Sequence, residues 1–148
     1  MTPLDALKVR TQQDGTLLQY LLNNTLISSD PTIAFYSIAP SPPEVCLVFL
    51  KTWASEGADL TSLEADWNST AVVENVAGYC NNTIVVTHTG GPNTMPWANH
   101  PNVTAIVAAH FPGQESGNSI VDILYGNVNP SGKLPYTIAN TEADYAFA

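Results

Sequence analysis

The chain has 148 residues, 45% of them apolar and only 11% charged, which is enough to bury one ordinary core while leaving solubility to neutral polar groups. Four Lys and Arg stand against thirteen Asp and Glu, for a formal charge of −9. That balance leaves no basic stripe to neutralise phosphates or attract an anionic membrane, and no apolar run nears the ~20 residues needed to span a bilayer.

Read in chain order, the first third predicts a helix around Leu4 to Gln12, a strand around Thr16 to Leu22 and an extended Thr32 to Ala39. The run from Ala39 to Pro43 then breaks regular structure, because proline lacks an N–H donor and fixes φ. From Glu44 the pattern is stronger. Val45 to Leu50 is a continuous apolar run, as in a strand covered on both faces, and Thr83 to Thr87 and Val103 to Ala109 are two more. Between the first two, Val72, Val73, Val76, Ala77 and Cys80 recur at helical spacing behind the N-cap candidates Asn68 and Ser69. This is a βαβ unit. Ile120, Val121 and Leu124 mark a further helix that Gly126 ends. A turn at Asn129 to Gly132 leads to a closing strand, Leu134 to Ile138, read as antiparallel. The expectation is one α/β domain over residues 1–148 with a mostly parallel sheet flanked by helices. Crossovers send the segments after the strands to one common edge, where open parallel sheets bind ligands.

The start, Met1 to Asp5, has neither the basic nor the apolar stretch of a secretory signal. Yet Asn-x-Ser/Thr sequons occur at Asn23, Asn68, Asn81 and Asn102, which fits a charge-poor surface kept soluble by glycans; chance in an Asn/Thr-rich chain is the alternative. Sequons without a leader point to a chain that has lost its natural amino terminus. Cys46 and Cys80 are too few for a disulfide scaffold and wrongly spaced for zinc. They form either one bridge or two buried thiols, and both precede strands, at the edge opposite the ligand edge.

Past the first strand, Trp53 to Asp59 sets Glu56 beside Gly57 and near an indole that could stack on a sugar or raise a carboxyl pKa by desolvation. From these residues alone, a solvated loop carboxylate is the readier reading. Asp59, Glu64 and Asp66 crowd the same loop but match no calcium-loop spacing. No metal or cofactor is expected. His88 and His110 follow strands and could carry protons or bond a ligand, although packing is the commoner role. Gly90-Gly91-Pro92 lacks the lysine of a phosphate loop. Ser116 sits in Gly-x-x-Ser-Gly rather than the Gly-x-Ser-x-Gly of a nucleophile elbow. Gln114 and Glu115 are expected to bond backbone at the helix start.

The string Phe111 to Ser119, continuing through Asp122, Leu124, Tyr125, Gly126 and Asn129 to Ile138, resembles the carboxyl-terminal α/β-sandwich domain of fungal glycoside hydrolase family 3 β-glucosidases. The likeness extends to Asn81 to His88, to His100 to Ile106 and back to Trp53 to Gly57. It implies a three-layer sandwich that lends an acid/base glutamate to a (β/α)₈ barrel carrying the nucleophile. On the family's Glu-Gly, Glu56 takes the acid/base role, with Trp53, Asp59 and His88 as substrate-binding candidates. Leu60 departs from the arginine that often follows Glu-Gly-x-Asp. The barrel and a fibronectin-like domain are absent from the chain.

The resemblance therefore implies a fragment of a retaining β-glucosidase that hydrolyses terminal β-D-glucosyl residues, inactive without its barrel, from a secreted, cellulose-degrading glycoprotein. Its partners would be a β-glucoside or oligosaccharide and the barrel domain. Exposure of the barrel-facing surface would favour a homo-oligomer. Two alternatives stand beside it: a carbohydrate-binding or protein-interaction module, and a degenerate remnant without activity.

Overall fold

A computed structural model of the chain describes residues 1–30, 32 and 43–145. Its elements are α1 (Pro3–Asp14), α2 (Asn24–Ser29), β1 (Cys46–Lys51), α3 (Ser69–Tyr79), β2 (Thr83–His88), a 3₁₀ turn (Pro96–Asn99), β3 (Val103–Ala108), α4 (Ser116–Leu124) and a second 3₁₀ turn (Glu142–Asp144). They fall into two compact units. One is Met1–Tyr20 with Phe111–Pro135, the other Leu21–His110 with Tyr136–Ala148.

In the first unit, α1 packs against α4. Thr2 caps α1 by accepting from the Asp5 N–H, Pro3 fills the first turn where its missing donor costs nothing, and Gly15 ends the helix at φ 70°. Gly117 is needed at the contact: its N–H donates to the Met1 carbonyl at 3.0 Å, and a Cβ there would run into the Thr2 carbonyl. The Arg10 guanidinium bonds Asp14 at 2.7 Å and lies 4.2 Å from the centre of the Tyr125 ring. The expected backbone bond from Glu115 is replaced by a side-chain one. Its carboxylate accepts from the Asn118 amide at 2.6 Å, and α4 has no side-chain cap.

The second unit holds a parallel sheet in the order β1-β2-β3, with Val48 paired to Val85 and Val85 to Ile106. As the apolar periodicity requires, β1-α3-β2 is a βαβ unit. Val48, Leu50 and Val85 from the sheet, Val72 and Val73 from α3, Ile27 from α2, and Met95 and Trp97 form the core. Asn75 on α3 donates to the Ile27 and Ser28 carbonyls at 3.0 Å each, tying down the end of α2. Asn68 occupies the N-cap of α3 in a left-handed conformation without a side-chain cap bond. Ser69 instead donates its hydroxyl to the Asp66 carbonyl. At the amino edge, Cys46 opens β1 and is bridged to Cys80, with their Cα atoms 6.3 Å apart.

Two expected strands are not regular strands here. Thr16 to Leu22 has no ladder, and Leu17 and Leu22 are 77% and 78% exposed; an apolar segment becomes a strand only where a sheet edge accepts its hydrogen bonds. Leu134 to Ile138 is irregular and bent at Pro135 and Tyr136, because proline cannot donate to a ladder. It therefore carries no antiparallel pairing among the described residues. The extended segment expected over Thr32 to Ala39 lies, apart from Thr32, outside the described residues, and so does the proline-rich break up to Pro42.

Candidate functional site at the carboxyl edge

Strands β1 and β2 end in register, Lys51 beside His88, and the segment from Thr52 to Asp66 leaves the sheet at this carboxyl edge. Both ends of the loop are tied. At its base, the Asp66 N–H donates to the Lys51 carbonyl at 3.2 Å, and Asp66 Oδ2 accepts from the Trp53 N–H at 2.6 Å. Near its return, Glu142 Oε1 accepts from the Leu63 N–H at 2.6 Å and the Ser62 hydroxyl at 2.9 Å. The Leu63 carbonyl in turn accepts from Thr94 N–H at 2.9 Å. These donors, Leu63 first and Ser62 second, hold the Glu142 carboxyl below the usual glutamate range.

Glu56 sits at the tip of the arc between these ties. Ser55 and Ala58 form an isolated antiparallel bridge, and Gly57 between them has φ 79°, the left-handed value a type II turn demands at its third position. The Glu-Gly pair thus has a backbone reason: the glycine permits the turn that projects the glutamate. Glu56 is exposed, and among the described residues its carboxylate makes no hydrogen bond or ion pair. Such a group is free to meet a reactant supplied from outside the chain.

The other candidates divide. Trp53 is 60% exposed at the start of the loop, with its indole open to solvent. Asp59 is also exposed, three residues past Glu56. His88 is turned to packing: its ring stacks with Phe49 at 6.3 Å, Nε2 is buried without a partner, and burial lowers its pKa from the ordinary histidine value. His110 has φ 52° and sits between the Thr89 carbonyl at 3.4 Å and the Tyr136 hydroxyl at 3.2 Å. Glu64 is engaged with Thr70 at 3.1 Å. Among the described residues no group of three or more His, Cys, Asp or Glu could hold a metal ion.

Of the sequon asparagines, Asn23, Asn68 and Asn81 are exposed. Asn102 is half-buried, its amide donating to the Ala77 carbonyl at 2.7 Å.

Sequence reasoning missed three features. Lys51 lies 4.6 Å from the centre of the Trp67 ring, and both line an open cleft of about 720 Å³ with Phe49, Asp66 and Asn68. Asp66 was visible as a loop carboxylate, but not as the residue that closes the loop. Glu142 gave no signal at all, because its partners lie 79 and 80 residues upstream.

Comparison with known proteins gives this edge a family. A model of the glycosyl hydrolase family 3 C-terminal domain matches residues 1–148. A probable beta-glucosidase G of Aspergillus flavus is 66% identical over 98% of the chain, and a probable beta-glucosidase M of Aspergillus niger is 45% identical over 98%. Among solved structures, a glycoside hydrolase family 3 beta-glucosidase from Neurospora crassa matches 95% of the chain at 42% identity with a TM-score of 0.82. A beta-D-glucoside glucohydrolase from Trichoderma reesei matches all of it at 34% identity, also with a TM-score of 0.82. The chain spans only 18% of the length of either Aspergillus relative and 17% and 21% of the two solved chains. By its family match, its identities and its fold, the chain belongs to the glycosyl hydrolase family 3 C-terminal domain family.

Proposed function

We propose that this domain supplies the general acid/base of a retaining β-glucosidase through Glu56, acting on terminal β-D-glucosyl residues with a nucleophile from a (β/α)₈ barrel. The observation that carries the reading is the tethered loop with a free glutamate at its tip. The chemistry needs such a group twice. Protonated, it donates to the glycosidic oxygen as the bond to the sugar breaks; ionised, it takes a proton from the water that attacks the glycosyl intermediate. The nucleophilic carboxyl must then sit only about 5 Å away, and the chain has no counterpart of the family's nucleophile motif. Half of the pair is therefore borrowed, and the chain alone is inactive.

Trp53 and Asp59, exposed on the same loop, are proposed as sugar contacts, the indole through stacking and the carboxylate through hydroxyl bonding. His88 serves them indirectly by packing under the edge. The parent enzyme is proposed to be secreted and to carry glycans at its sequons, consistent with the bridged cysteines. An assay of an aryl β-glucoside with the purified chain, repeated after adding the matching barrel domain, tests the proposal. Turnover is expected only in the mixture; robust turnover by the chain alone would overturn it.

A second reading is a module that binds sugar without hydrolysis, favoured by the 60% exposure of the Trp53 indole. Micromolar binding of a gluco-oligosaccharide by calorimetry, abolished by Trp53→Ala, with no turnover in the mixture, would support it instead.

A further inference from the structure

We infer that Glu142 is a positioning residue for Glu56, holding the arc from 54 to 61 at the height its acid/base role needs; this rests on the function proposed above. Two carboxylates of different origin tie the loop from Thr52 to Asp66. Asp66 closes the base within the loop itself, through the Trp53 N–H at 2.6 Å and the Lys51 carbonyl at 3.2 Å. Beyond it, Thr94 N–H holds the Leu63 carbonyl at 2.9 Å and the Thr70 hydroxyl holds Glu64 at 3.1 Å, which leaves the arc ahead of Leu63 to be held by what grips Ser62 and the Leu63 N–H. Glu142 reaches in from a separate segment and grips the returning side of the loop at Ser62 and Leu63, at 2.9 and 2.6 Å.

The grip is itself mounted on ordered structure. Glu142 lies in a short 3₁₀ turn closed by a reciprocal capping box between Thr141 and Asp144. The Tyr145 hydroxyl donates to the Thr137 carbonyl and accepts from the Ala139 N–H, at 3.1 and 3.2 Å. The Ala139 carbonyl then accepts from Met95 N–H at 3.0 Å, and Thr94 N–H donates to the Leu63 carbonyl at 2.9 Å. A closed circuit thus runs from the loop to Glu142 and back through buried Met95 to the loop. A charged acceptor on a backbone N–H is among the stronger hydrogen bonds available at a surface. Ahead of the circuit lies the arc 54–61, closed on itself by the Ser55–Ala58 bridge with Glu56 at its turn. A general acid must stay within hydrogen-bond reach of the leaving oxygen, so loss of the second tie should cost acid catalysis before it costs anything else.

The test compares Glu142→Ala, Glu142→Gln and Glu56→Gln. Amide exchange in the purified chain is read at Leu63 and over residues 54–61, with Val85 and Val86 of the sheet as controls for folding. Activity of the chain with its barrel domain is read on methyl β-glucoside, whose leaving group needs a proton, and on 2,4-dinitrophenyl β-glucoside, whose leaving group does not. In Glu142→Ala, exchange at Leu63 and the arc is expected to quicken at least tenfold with the sheet unchanged. The kcat/KM on the methyl glucoside, which reports the glycosylation step, is expected to fall tenfold or more, against less than threefold in kcat/KM on the dinitrophenyl glucoside. Glu142→Gln keeps an acceptor oxygen and should recover part of both effects. Unchanged exchange at Leu63, or equal losses on the two substrates, overturns the positioning role. If Glu56→Gln itself shows no selective loss, the acid/base reading falls and the positioning role with it, while exchange at Leu63 still reports separately whether the Glu142 tie exists.

Discussion

Asp66 Oδ2 accepts the backbone N–H of Trp53 at 2.6 Å across thirteen residues of the same loop. One carboxylate thereby fixes where the candidate acid/base loop leaves the sheet. Asp66→Ala is expected to lower stability by about 1–3 kcal/mol, the usual cost of removing a charged partner from a hydrogen bond. Asp66→Asn, which keeps an acceptor, should lose less. Urea unfolding, together with amide exchange at Trp53, measures both.

The bridge between Cys46 and Cys80 closes a loop with a sequence separation of 34. In the chain-entropy description this constrains the unfolded state by roughly 3–4 kcal/mol. The double variant Cys46→Ser and Cys80→Ser should lose about 2–4 kcal/mol in urea titration, without a change in the ends of β1 and β2 at the opposite edge.

Val73 is fully buried beneath the sheet, whereas Val45 is 45% exposed just before β1. Val73→Ala removes two methyl groups from a packed core and is expected to cost about 2–3 kcal/mol. Val45→Ala should fall within about 0.5 kcal/mol of the parent chain. Similar costs at the two sites in equilibrium unfolding would contradict the assigned core.

His88 carries the pH dependence that burial predicts. Its folded pKa is depressed below the ordinary histidine value, so the unfolded chain takes up its proton first on acidification. Stability from this group is complete above about pH 6.5 and declines as pH falls through the depressed folded value. His88→Phe, with an aromatic ring left beside Phe49, should flatten the decline in that window. Unfolding free energies of the two proteins at a series of pH values decide it, and identical slopes would remove His88 as the cause.

Much of the fold could be read in advance because it is written in period and run length. Val45 to Leu50 is apolar throughout, Thr83 to Thr87 is a β-branched run, and Val72, Val73, Val76 and Ala77 share one helical face, so β1-α3-β2 follows from local pattern alone. The segment from Thr16 to Leu22 reads as a strand from its apolar content, but only Thr16 and Tyr20 carry strand propensity, and pairing is decided by an available edge elsewhere. The turn at Gly57 was not legible, because a glycine after a glutamate in a polar loop does not by itself specify a left-handed position. Nor were the ties from Asp66 and Glu142: side-chain bonds to backbone across 13 and 79 residues leave no periodic trace. The proposal for Glu56 comes from family resemblance, because an exposed loop glutamate looks the same in sequence whether or not it has chemistry to do.

The most direct measurement is the effect of Glu56→Gln on the chain assayed with its barrel domain, using methyl and 2,4-dinitrophenyl β-glucosides with and without azide. Loss of a general acid/base should reduce turnover of the methyl glucoside by about 10²–10⁴-fold. The activated substrate should still form its glycosyl intermediate, and azide, a nucleophile that needs no base, should release it as glucosyl azide. Wild-type turnover of the methyl glucoside by Glu56→Gln would contradict the assignment.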